Sequence, residues 1–552
     1  MSGEHDLRGV AFPKLDESQL TILDGCPLTR QARYRAGQTL FRVGDRDCTF
    51  FVIKSGEVEI VDESVDPPRT IAVHGPGEFT GDVAQLIGTP ALVTAIVRVD
   101  SDVYAVSPDA LREILNAHVE LGDMILQAFI ARRHLLREGV VYTGVRVIGS
   151  RYSPDTLRVR EFLAGNRIPF TWMDLETEPQ VIQLLAQYGV SQSDTPVVAW
   201  GRNLILRNPS DRQLAEALGL RRPLRDLLYD LVVVGAGPAG LAAAVYGASE
   251  GLRTVVLERA APGGQAGRSM RIENYLGFPT GITGAEFAER AVIQANKFGA
   301  QLPVAMPVVG LTFDHGYPIV QLDDQETVAG KCLLIATGAE YRRLEAKNCE
   351  AFEGRGLYYA ATQIEAQMCV GSEAVVIGGG NSAGQAAVFL AGQVRKVYLV
   401  IRGPSLSKDM STYLARRIEQ NPKIEVLLNT EVEEMDGDGH LGSVTLVNRT
   451  TGDARTIHTP AVFSFIGALP RTDWLPPEIE KDEKAFARTG PELARSSQWT
   501  LQRQPFLLET SCPGVFAAGD VRSGSIKRVA SAVGEGAMAV QFVHAYLGSK
   551  RS

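Results

Sequence analysis

Two segments of the chain share one pattern, in which an apolar strand is followed by a glycine-rich turn, a helix of small residues and a second strand. The first segment is DLVVVGAGPAGLAAAVYGASEGLRTVVLER from Asp230, and the second is AVVIGGGNSAGQAAVFLAGQVRKVYLVIR from Ala374. Strand–turn–helix–strand units of this kind build parallel sheets, and their turns can bind a pyrophosphate group. The repeat therefore predicts two doubly wound α/β domains, each with a dinucleotide site.

The first turn has the glycine spacing that a dinucleotide requires. Gly235 permits a tight turn, Gly237 lets the backbone approach the pyrophosphate, and Gly240 packs the helix against the strand. Glu258 ends the next strand, where a carboxylate can accept hydrogen bonds from a ribose diol. With the N–H groups at the start of the helix, these features predict a complete site. The residues assigned to it are Gly235, Gly237, Pro238, Ala239, Gly240 and Glu258.

The second turn has a similar spacing but a different strand end. Gly378, Gly380 and Ala383 form a G-x-G-x-x-A pattern, and Arg402 stands where the first unit has an acid. An acid there suits the free 2′-hydroxyl of NADH, whereas an arginine suits the 2′-phosphate of NADPH. We therefore favour NADPH over NADH, and the alternative is that Arg402 is a solvated charge. The residues assigned to this site are Gly378, Gly380, Asn381, Ser382, Ala383 and Arg402.

The chain from about residue 228 to 552 resembles the low-molecular-weight thioredoxin reductase family. The matching motifs are PGGQ from Pro262, IENYLGFP from Ile272, IATGA from Ile335 and VFAAGDV from Val515. The resemblance implies bound FAD, with Asp520 at the ribityl chain and the residues from Arg528 to Ala530 against the isoalloxazine. The further flavin-site residues that it implies are Gly264, Gln265, Asn274, Thr337, Gly338, Gly519, Asp520, Arg528, Val529 and Ala530.

The same resemblance implies an activity and a domain order. We expect an FAD-binding domain at residues 228–341 and 459–552, interrupted by an NAD(P)-binding domain at residues 342–458. The implied function is an FAD-dependent NAD(P)H oxidoreductase that passes electrons from the reduced flavin to a small-molecule or protein acceptor outside the chain. Disulfide reductase activity is not expected. Two alternatives remain open: a flavin redox sensor or assembly module with little turnover, and a dithiol oxidase that needs no NAD(P)H. We also expect a homodimer.

One departure from the family limits this prediction. A Cys-Ala-Thr-Cys dithiol takes electrons from the flavin in the family, but the matching stretch GLYYAATQIEA has Ala360 and Gln363 in place of the cysteines. Neither side chain can form a thiolate, which excludes thioredoxin reductase activity through that route. We expect Cys349 in a polar loop and Cys369 in the core. The cysteines, which form no C-x-x-C pair and fit no zinc site, are Cys26, Cys48, Cys332, Cys349, Cys369 and Cys512.

Residues 145–222 resemble a glutaredoxin-like thioredoxin fold. The pattern of strands and helices follows a βαβ-then-β order, and Pro196 stands at the cis-proline position of that fold. Where the fold carries Cys-Pro-x-Cys, this chain has Ser153-Pro154-Asp155-Thr156. The scaffold is therefore expected without its dithiol, in a docking or spacing role.

Residues 1–140 are expected to form a β-barrel domain followed by one helix from Ser107 to about Arg137. The phrases AGQTLFRVGD, FFVIKSGEVEI and GEFTGDVAQLIGTPA are similar to cyclic-nucleotide-binding domains. In that family an arginine after the proline of the phosphate cassette contacts the cyclic phosphate, but Ala91 follows Pro90 here. Because this charge-assisted contact is missing, the sequence argues against tight cyclic nucleotide binding.

The whole chain of 552 residues is long enough for three or four domains. Its net charge of −8 argues against nucleic acid as the main partner. The start lacks an apolar segment of signal-peptide length, and Gly and Pro interrupt the apolar runs, so we expect a cytoplasmic protein without a membrane span or a metal site. The predicted fold class is a β-barrel plus a thioredoxin-like α/β domain plus two doubly wound α/β dinucleotide-binding domains.

Overall fold

The computed structural model describes residues 4–63, 67–138, 144–187, 189–200, 204–406, 408, 410–494, 496–499 and 501–550. The N-terminal domain contains an antiparallel sheet, and its helices precede the first strand, lie between two strands or follow the last one in the sequence. Its elements are β1 (Thr29–Tyr34), β2 (Thr39–Phe41), β3 (Phe50–Asp62), β4 (Arg69–His74), β5 (Thr94–Val106), α1 (Glu4–Ala11), α2 (Glu17–Gly25), α3 (Ala84–Ile87), α4 (Pro108–Ala117) and α5 (Val119–Glu138). The strands lie in the order β1-β5-β3-β4, and β2 pairs with β5.

An aromatic cluster joins α5 to this sheet. The Phe50 ring lies 5.5 Å from the Phe79 ring and 5.9 Å from the Phe129 ring, measured between centroids. All three side chains are almost completely buried. Aromatic groups of this size supply much of the burial that holds a small domain together. The C-terminal helix is therefore part of the core of the domain.

The single helix expected from Ser107 to about Arg137 is in fact two helices, α4 and α5. His118 between them has an extended backbone, with φ −122° and ψ 90°. Gly122 then allows the first turn of α5 to approach α4, because a Cβ atom at Gly122 would lie 2.5 Å from the Leu115 carbonyl oxygen. The apolar spacing continues across the break, so helical periodicity alone could not reveal it.

The second domain, at residues 144–222, has a mixed four-stranded sheet. Its elements are β6 (Val145–Gly149), β7 (Thr171–Asp174), β8 (Val197–Trp200), β9 (Leu204–Arg207), α6 (Pro154–Gly165), α7 (Gln180–Gln187) and α8 (Asp211–Ala217). The strand order is β7-β6-β8-β9, with β7 parallel to β6 and the other pairs antiparallel. The peptide bond between Thr195 and Pro196 is cis.

The first dinucleotide unit starts at residue 228. The part of it that precedes the second unit contains most of the strands of its sheet. These elements are β10 (Leu228–Val234), β11 (Thr254–Leu257), β12 (Val308–Asp314), β13 (Tyr317–Leu322), β14 (Thr327–Ile335), β15 (Ala339–Tyr341), α9 (Pro238–Ser249), α10 (Gly264–Gly267) and α11 (Gly284–Lys297). Strands β10, β11 and β14 are parallel, and β12 and β13 extend the sheet as an antiparallel hairpin.

The second dinucleotide unit follows, with a parallel sheet and a separate antiparallel one. Its elements are β16 (Leu357–Tyr358), α12 (Gln363–Ala366), β17 (Glu373–Ile377), α13 (Asn381–Ala391), β18 (Lys396–Ile401), α14 (Thr412–Glu419), β19 (Ile424–Leu428), β20 (Thr430–Asp436), β21 (Ser443–Asn448), β22 (Ala454–His458) and β23 (Val462–Ser464). The parallel strands lie in the order β16-β23-β17-β18-β19, and β20, β21 and β22 form the other sheet.

The boundary expected at residue 459 lies a few residues too early. Strand β23 pairs in parallel with β16 and β17, so it belongs to the second dinucleotide unit. The chain then returns to the first unit through β24 (Ala468–Pro470), β25 (Val515–Ala517) and α15 (Val529–Ser549). Strand β25 pairs with β14 and completes the first sheet. A short apolar strand has no sequence signal that tells which of two neighbouring sheets it joins.

The second domain lies against both dinucleotide units. Asn166 Nδ2 donates to the Ala260 carbonyl oxygen of the first unit over 2.9 Å. Arg160 Nη2 donates to Gln367 Oε1 of the second unit over 2.8 Å. Since helix α6 carries or adjoins both residues, one helix of this domain is in contact with both units.

Within the described ranges, no helix is long and apolar enough to cross a membrane.

Candidate functional site

Both glycine-rich turns line one large open cavity of about 2660 Å³. The first turn contributes Gly235 and Gly237, and the second contributes Gly378 and Gly380. Part of the second domain lines the same cavity, including Asp155 in the stretch that replaces Cys-Pro-x-Cys. The two units and the second domain therefore share one space. Most ligand sites are smaller than this, so the cavity has room for more than one ligand.

The first turn has the geometry of a pyrophosphate-binding turn. Gly235 has φ +100°, and a Cβ atom there would lie 2.5 Å from the Ala336 carbonyl oxygen. Gly237 caps α9, and a Cβ atom at this position would meet nothing within 4 Å. A Cβ atom at Gly240 would lie 1.9 Å from the Gly235 carbonyl oxygen. The first and third glycines are thus required by packing, whereas the second leaves the start of the helix open to a ligand.

Glu258 is held by backbone N–H groups on two sides. Its Oε2 atom accepts a hydrogen bond from Ala236 N over 2.8 Å, inside the glycine turn. Its Oε1 atom accepts from Ala260 N over 2.9 Å and from Ala261 N over 3.2 Å. A carboxylate oxygen can accept further bonds, so these contacts orient the group without exhausting it. The carboxylate is therefore fixed beside the turn, where a ribose diol could bind.

Three further predicted residues surround the first turn. A Cβ atom at Gly264, which has φ +54°, would lie 3.0 Å from the Cα atom of Gly237. Gln265 Nε2 donates to the Ala339 carbonyl oxygen over 3.3 Å. Thr337 Oγ1 donates to the Arg471 carbonyl oxygen over 2.8 Å. These contacts hold the walls of the cavity in place. Gly338 and Asn274 also line the cavity.

The C-terminal segment brings Asp520 to the same cavity. Gly519 N donates to Glu535 Oε2 over 2.7 Å, and Gly519 lies close to Ala239 of the first turn. Burial, together with the charge of Glu535, raises the pKa of the Asp520 carboxyl, and Lys527 opposes this shift. The predicted residues Arg528 and Val529 line the cavity, where Arg528 precedes α15. Ala530 is exposed and is not among the residues that line it.

The second turn repeats the geometry of the first. Gly378 has φ +138°, and a Cβ atom there would lie 2.5 Å from the Phe465 carbonyl oxygen. Gly380 caps α13 and would place a Cβ atom in open space. Asn381 Oδ1 accepts from Ser411 N over 2.8 Å, and the predicted residue Ala383 is fully buried against the turn.

Two features of the second unit bear on how the two units are arranged and on which nucleotide could bind. The hydroxyl of Tyr341 in the first unit lies 3.1 Å from Ser382 Oγ in the second turn, so the two units touch at this place. Arg402 is exposed and lines the cavity beside the end of β18. An exposed arginine at the end of this strand offers a positive charge to a 2′-phosphate.

The stretch that replaces the dithiol is close to the cavity. Ala360 is buried, and Gln363 is exposed on the cavity wall at the start of α12. Between them, Thr362 caps the helix and donates from both N and Oγ1 to Glu365 Oε2, each over 2.6 Å. The alanine and glutamine therefore fill space and face solvent, and neither offers redox chemistry.

Glu365 is a buried acid that the sequence analysis missed. Its side chain is 1% exposed, and its Oε1 atom has no hydrogen-bond partner among the described residues. Burial and the nearby Glu161 carboxylate raise the pKa of Glu365 to about 7. Across the interface, Arg160 stacks on the Trp172 ring at 3.7 Å from its centroid. The T-x-x-E spacing from Thr362 predicts a capping box, but it does not reveal that the acid is desolvated.

All six cysteines are free thiols. The expectation of a polar loop at Cys349 is wrong, since Cys349 is 4% exposed and its thiol donates to the Leu344 carbonyl oxygen over 2.9 Å. Cys369 is fully buried as expected. Burial raises the pKa of Cys48 and Cys369 to about 12 and that of Cys512 to about 11. A raised pKa leaves little of the reactive thiolate at neutral pH.

The N-terminal domain has no cation at the position after Pro90. Ala91 is 7% exposed and packs in an apolar cluster with Ile53 and Val103. Asp82, in the cassette, accepts from Ala84 N over 2.8 Å and pairs with Arg133 at 3.3 Å. The side chains around Ala91 therefore favour apolar packing over contact with a phosphate.

Comparison with known proteins identifies two of these parts. Residues 229–536 match the family described as pyridine nucleotide-disulphide oxidoreductase, and residues 31–118 match the cyclic nucleotide-binding domain. The thioredoxin reductase of Bacillus subtilis (strain 168) is 34% identical over 321 residues, which cover 58% of this chain and 95% of that protein. The thioredoxin reductase of Treponema pallidum (strain Nichols) is 35% identical over 319 residues, or 58% of this chain and 97% of that protein.

A solved structure agrees with these relatives. Lactococcus lactis thioredoxin reductase, in the conformation called FR, has a TM-score of 0.53 and 29% sequence identity. The match covers 58% of this chain and 99% of that one. The glycine turns, the split first unit and the inserted second unit all lie within the matched part. The chain therefore belongs to the pyridine nucleotide-disulphide oxidoreductase family, among the thioredoxin reductases, and carries a cyclic nucleotide-binding domain in front of the shared part.

Proposed function

We propose that the chain is an FAD-dependent oxidoreductase that takes electrons from NADPH or NADH and passes them to an acceptor outside the chain. The observation that carries this proposal is that the open glycines of both turns, Gly237 and Gly380, line the same cavity. The thioredoxin reductase family uses FAD and NADPH. Two dinucleotides bound in one space could come close enough for electron transfer.

The residues of the first unit fit FAD. The N–H groups at the start of α9 can bind its pyrophosphate, because Gly237 leaves their approach open. Glu258, fixed by three backbone N–H groups, can accept hydrogen bonds from a ribose diol. Asp520 and Arg528 line the part of the cavity that remains for the rest of the ligand. When bound, FAD would supply two-electron redox chemistry that no side chain provides.

The residues of the second unit fit a nicotinamide dinucleotide. Gly380 leaves the start of α13 open, and Arg402 offers a positive charge at the end of β18. A guanidinium binds a 2′-phosphate through charge-assisted hydrogen bonds, so NADPH is the preferred donor. An intact second turn argues against the alternative of a dithiol oxidase that does not need NAD(P)H.

We propose that the acceptor reaches the cavity directly, without a thiol relay in this chain. A relay needs an attacking thiolate and a second thiol nearby. Ala360 and Gln363 replace the dithiol, and the six thiols are free, with Cys332, Cys349 and Cys369 buried. The acceptor is therefore a small molecule or a partner protein that can enter or cover the open cavity.

We infer that the second domain is a thioredoxin-like fold that has kept a docking role. Its sheet order and the Ser153-Pro154-Asp155-Thr156 stretch support this inference. Ser153 Oγ accepts from Thr156 N over 3.3 Å and so caps α6. Pro154 packs near Gly354 of the second unit, where a Cβ atom would lie 3.2 Å from it. The stretch thus joins domains together instead of exchanging electrons.

Anaerobic stopped-flow absorbance tests this proposal. We expect the purified, FAD-loaded protein to be reduced by NADPH faster than by NADH at equal concentration. Reoxidation should then be followed with a panel of acceptors, comprising quinones, ferredoxin, small disulfides and oxygen. Reduction by neither nucleotide would favour the redox sensor or assembly module. Reduction by a small dithiol alone would favour the oxidase.

A further inference from the structure

A second cavity, of about 270 Å³, lies where three parts of the chain meet. We call it the junction cavity. Its walls come from the N-terminal domain at residues 83–89, from the second domain at residues 165–167 and 219–222, and from the first dinucleotide unit at residues 288–304. It adjoins the large cavity that holds the glycine turns, and Gly165, Arg167 and Pro262 line both. A ligand here would contact all three parts at once.

The walls of the junction cavity are strongly basic. Seven arginines line it, against the two acids Asp47 and Glu289. Four of these arginines have acidic partners: Arg112 and Arg225 share Asp109, Arg133 pairs with Asp82, and Arg221 pairs with Asp324, Glu326 and Glu216. Arg46 and Arg222 instead donate to the backbone carbonyl oxygens of Glu216 and Ile87. Their two charges lie beside apolar side chains of the lining, which weaken screening by water. This arrangement favours an anion inside the cavity.

Arg222 carries the clearest unbalanced charge. Its Nη2 atom donates to the Ile87 carbonyl oxygen, and no carboxylate pairs with it in the described part of the chain. Burial lowers the pKa of Arg222 to about 10; attraction by Asp47 opposes this shift, and repulsion from Arg112, Arg225 and Arg46 adds to it. Enclosed charges of one sign repel one another unless an opposite charge lies between them. A bound anion would remove that repulsion.

Two buried polar atoms at the cavity wall lack a partner within the described residues. They are Nε of Arg133 and Oγ1 of Thr89. Arg133 is 2% exposed and Thr89 is 7% exposed, so bulk water does not satisfy them. Leaving a buried hydrogen-bonding group unpaired costs free energy, and native proteins rarely do so without a reason. Neither atom is reached by water in this structure, so each would bind an oxygen of an anionic ligand after its side chain turns toward the cavity.

We propose that the junction cavity binds a small anion that carries one or two phosphate groups. Arginine forks match the geometry of phosphate oxygens, and the threonine hydroxyl adds a neutral donor. The described lining contains no aromatic side chain on which a nucleobase could stack. The phosphate groups are therefore the recognised part of the ligand. The site is also distinct from the apolar cluster at Ala91, so it differs from a cyclic nucleotide site in the N-terminal domain.

Isothermal titration calorimetry with pyrophosphate tests the proposal on the full, FAD-loaded chain. We expect binding to the wild type that weakens as salt is added, because charge contacts are screened. Arg222→Gln should weaken it by about tenfold or more, since a charge-assisted contact is lost. Thr89→Val keeps the shape of the side chain and removes only the hydroxyl, so we expect a loss of about three- to tenfold.

Two control variants separate this cavity from other anion sites. Arg98→Gln removes an exposed arginine that pairs with Glu57 at 3.6 Å, and it should leave the affinity unchanged. Arg402→Gln removes the charge beside the second turn. If Arg402→Gln weakens pyrophosphate binding and Thr89→Val does not, the anion occupies the nicotinamide dinucleotide site, and the proposal is wrong. Absence of any binding to the wild type at millimolar pyrophosphate would also overturn it.

Discussion

Gly237 caps α9 with its backbone alone, and its φ of −71° is one that any residue can adopt. A β-branched side chain is therefore tolerated by the backbone, but it would project into the open space beside the turn. We expect Gly237→Val to weaken FAD binding by at least about tenfold and to yield nearly colourless protein, because the pyrophosphate loses its approach. Flavin content per chain after gel filtration measures this. Gly548→Val, also in open space but at the end of α15, should stay yellow.

Arg402 is predicted to choose between the two nicotinamide dinucleotides. Arg402→Glu should raise KM for NADPH by roughly 10- to 100-fold and change KM for NADH much less, because a charge-assisted contact to the 2′-phosphate becomes a repulsion. Steady-state kinetics with both donors measures the ratio. Arg416→Glu, on the exposed face of α14 in the same unit, is the matched control. Equal effects of Arg402→Glu on both donors would show that Arg402 is only a surface charge.

At the scale of elements, helices α6 and α12 meet around the buried Glu365. Its pKa rises from 4.5 to about 7 in the folded protein, so the folded state keeps the proton longer than the unfolded chain. Stability is therefore highest below pH 4.5 for this group and falls as pH rises through about 7.

Glu365→Gln should remove that pH dependence. We expect the wild type to lose thermal stability relative to this variant between pH 5 and about 7.5, and the two curves to diverge as pH rises. Thermal unfolding of the FAD-loaded protein across this range measures the difference in Tm. Glu419→Gln, on the exposed end of α14, should run parallel to the wild type. Parallel curves for Glu365→Gln would mean that Glu365 is ionised throughout.

The sequence predicts best those elements whose structure depends on residues that are close together in the chain. The strands and helices around Gly235 and Gly378 follow from the glycine-rich turns that join them. In the structure the second glycine of each turn, Gly237 or Gly380, faces open space, as predicted. Two features were not predicted: the break at His118, across which the apolar spacing continues, and the pairing of β23 with β17, which depends on distant packing. The burial of Glu365 is a third case, because α6 covers it from a separate domain. Local spacing carries no information on such partners.

At the scale of the whole molecule, the absence of a dithiol predicts how electrons leave. A variant with Cys332, Cys349 and Cys369 changed to alanine, and the other three cysteines changed to serine, should keep NAD(P)H-driven reduction and acceptor-driven reoxidation close to wild type. The reason is that, in the proposed function, no cysteine accepts electrons from the flavin. Stopped-flow absorbance measures both phases. If reduction survives and reoxidation collapses, two of the cysteines take part in electron transfer. The variant with only the three serine changes controls for damage to the core.

The N-terminal domain gives a second prediction at this scale. Calorimetry with cyclic AMP should show no binding, or binding weaker than about 10 µM, since Ala91 cannot supply the lost charge-assisted contact. Arg98 cannot easily replace it, because Arg98 pairs with Glu57 on an exposed part of the sheet. Ala91→Arg would be expected to strengthen binding. Submicromolar affinity of the wild type would contradict this prediction.

The split of the first dinucleotide unit has a consequence for synthesis of the protein. Strand β14 pairs with β25, and Leu333 lies opposite Val515 in this pair. Val515 leaves the ribosome only after the whole second unit has been synthesised. Asp520 and α15 arrive later still. The second unit is continuous in sequence, so it can fold while translation continues, whereas the first must remain unfinished. A nascent chain that stalls before β25 would therefore expose an open sheet edge and would be a substrate for chaperones before it could ever take up its cofactor.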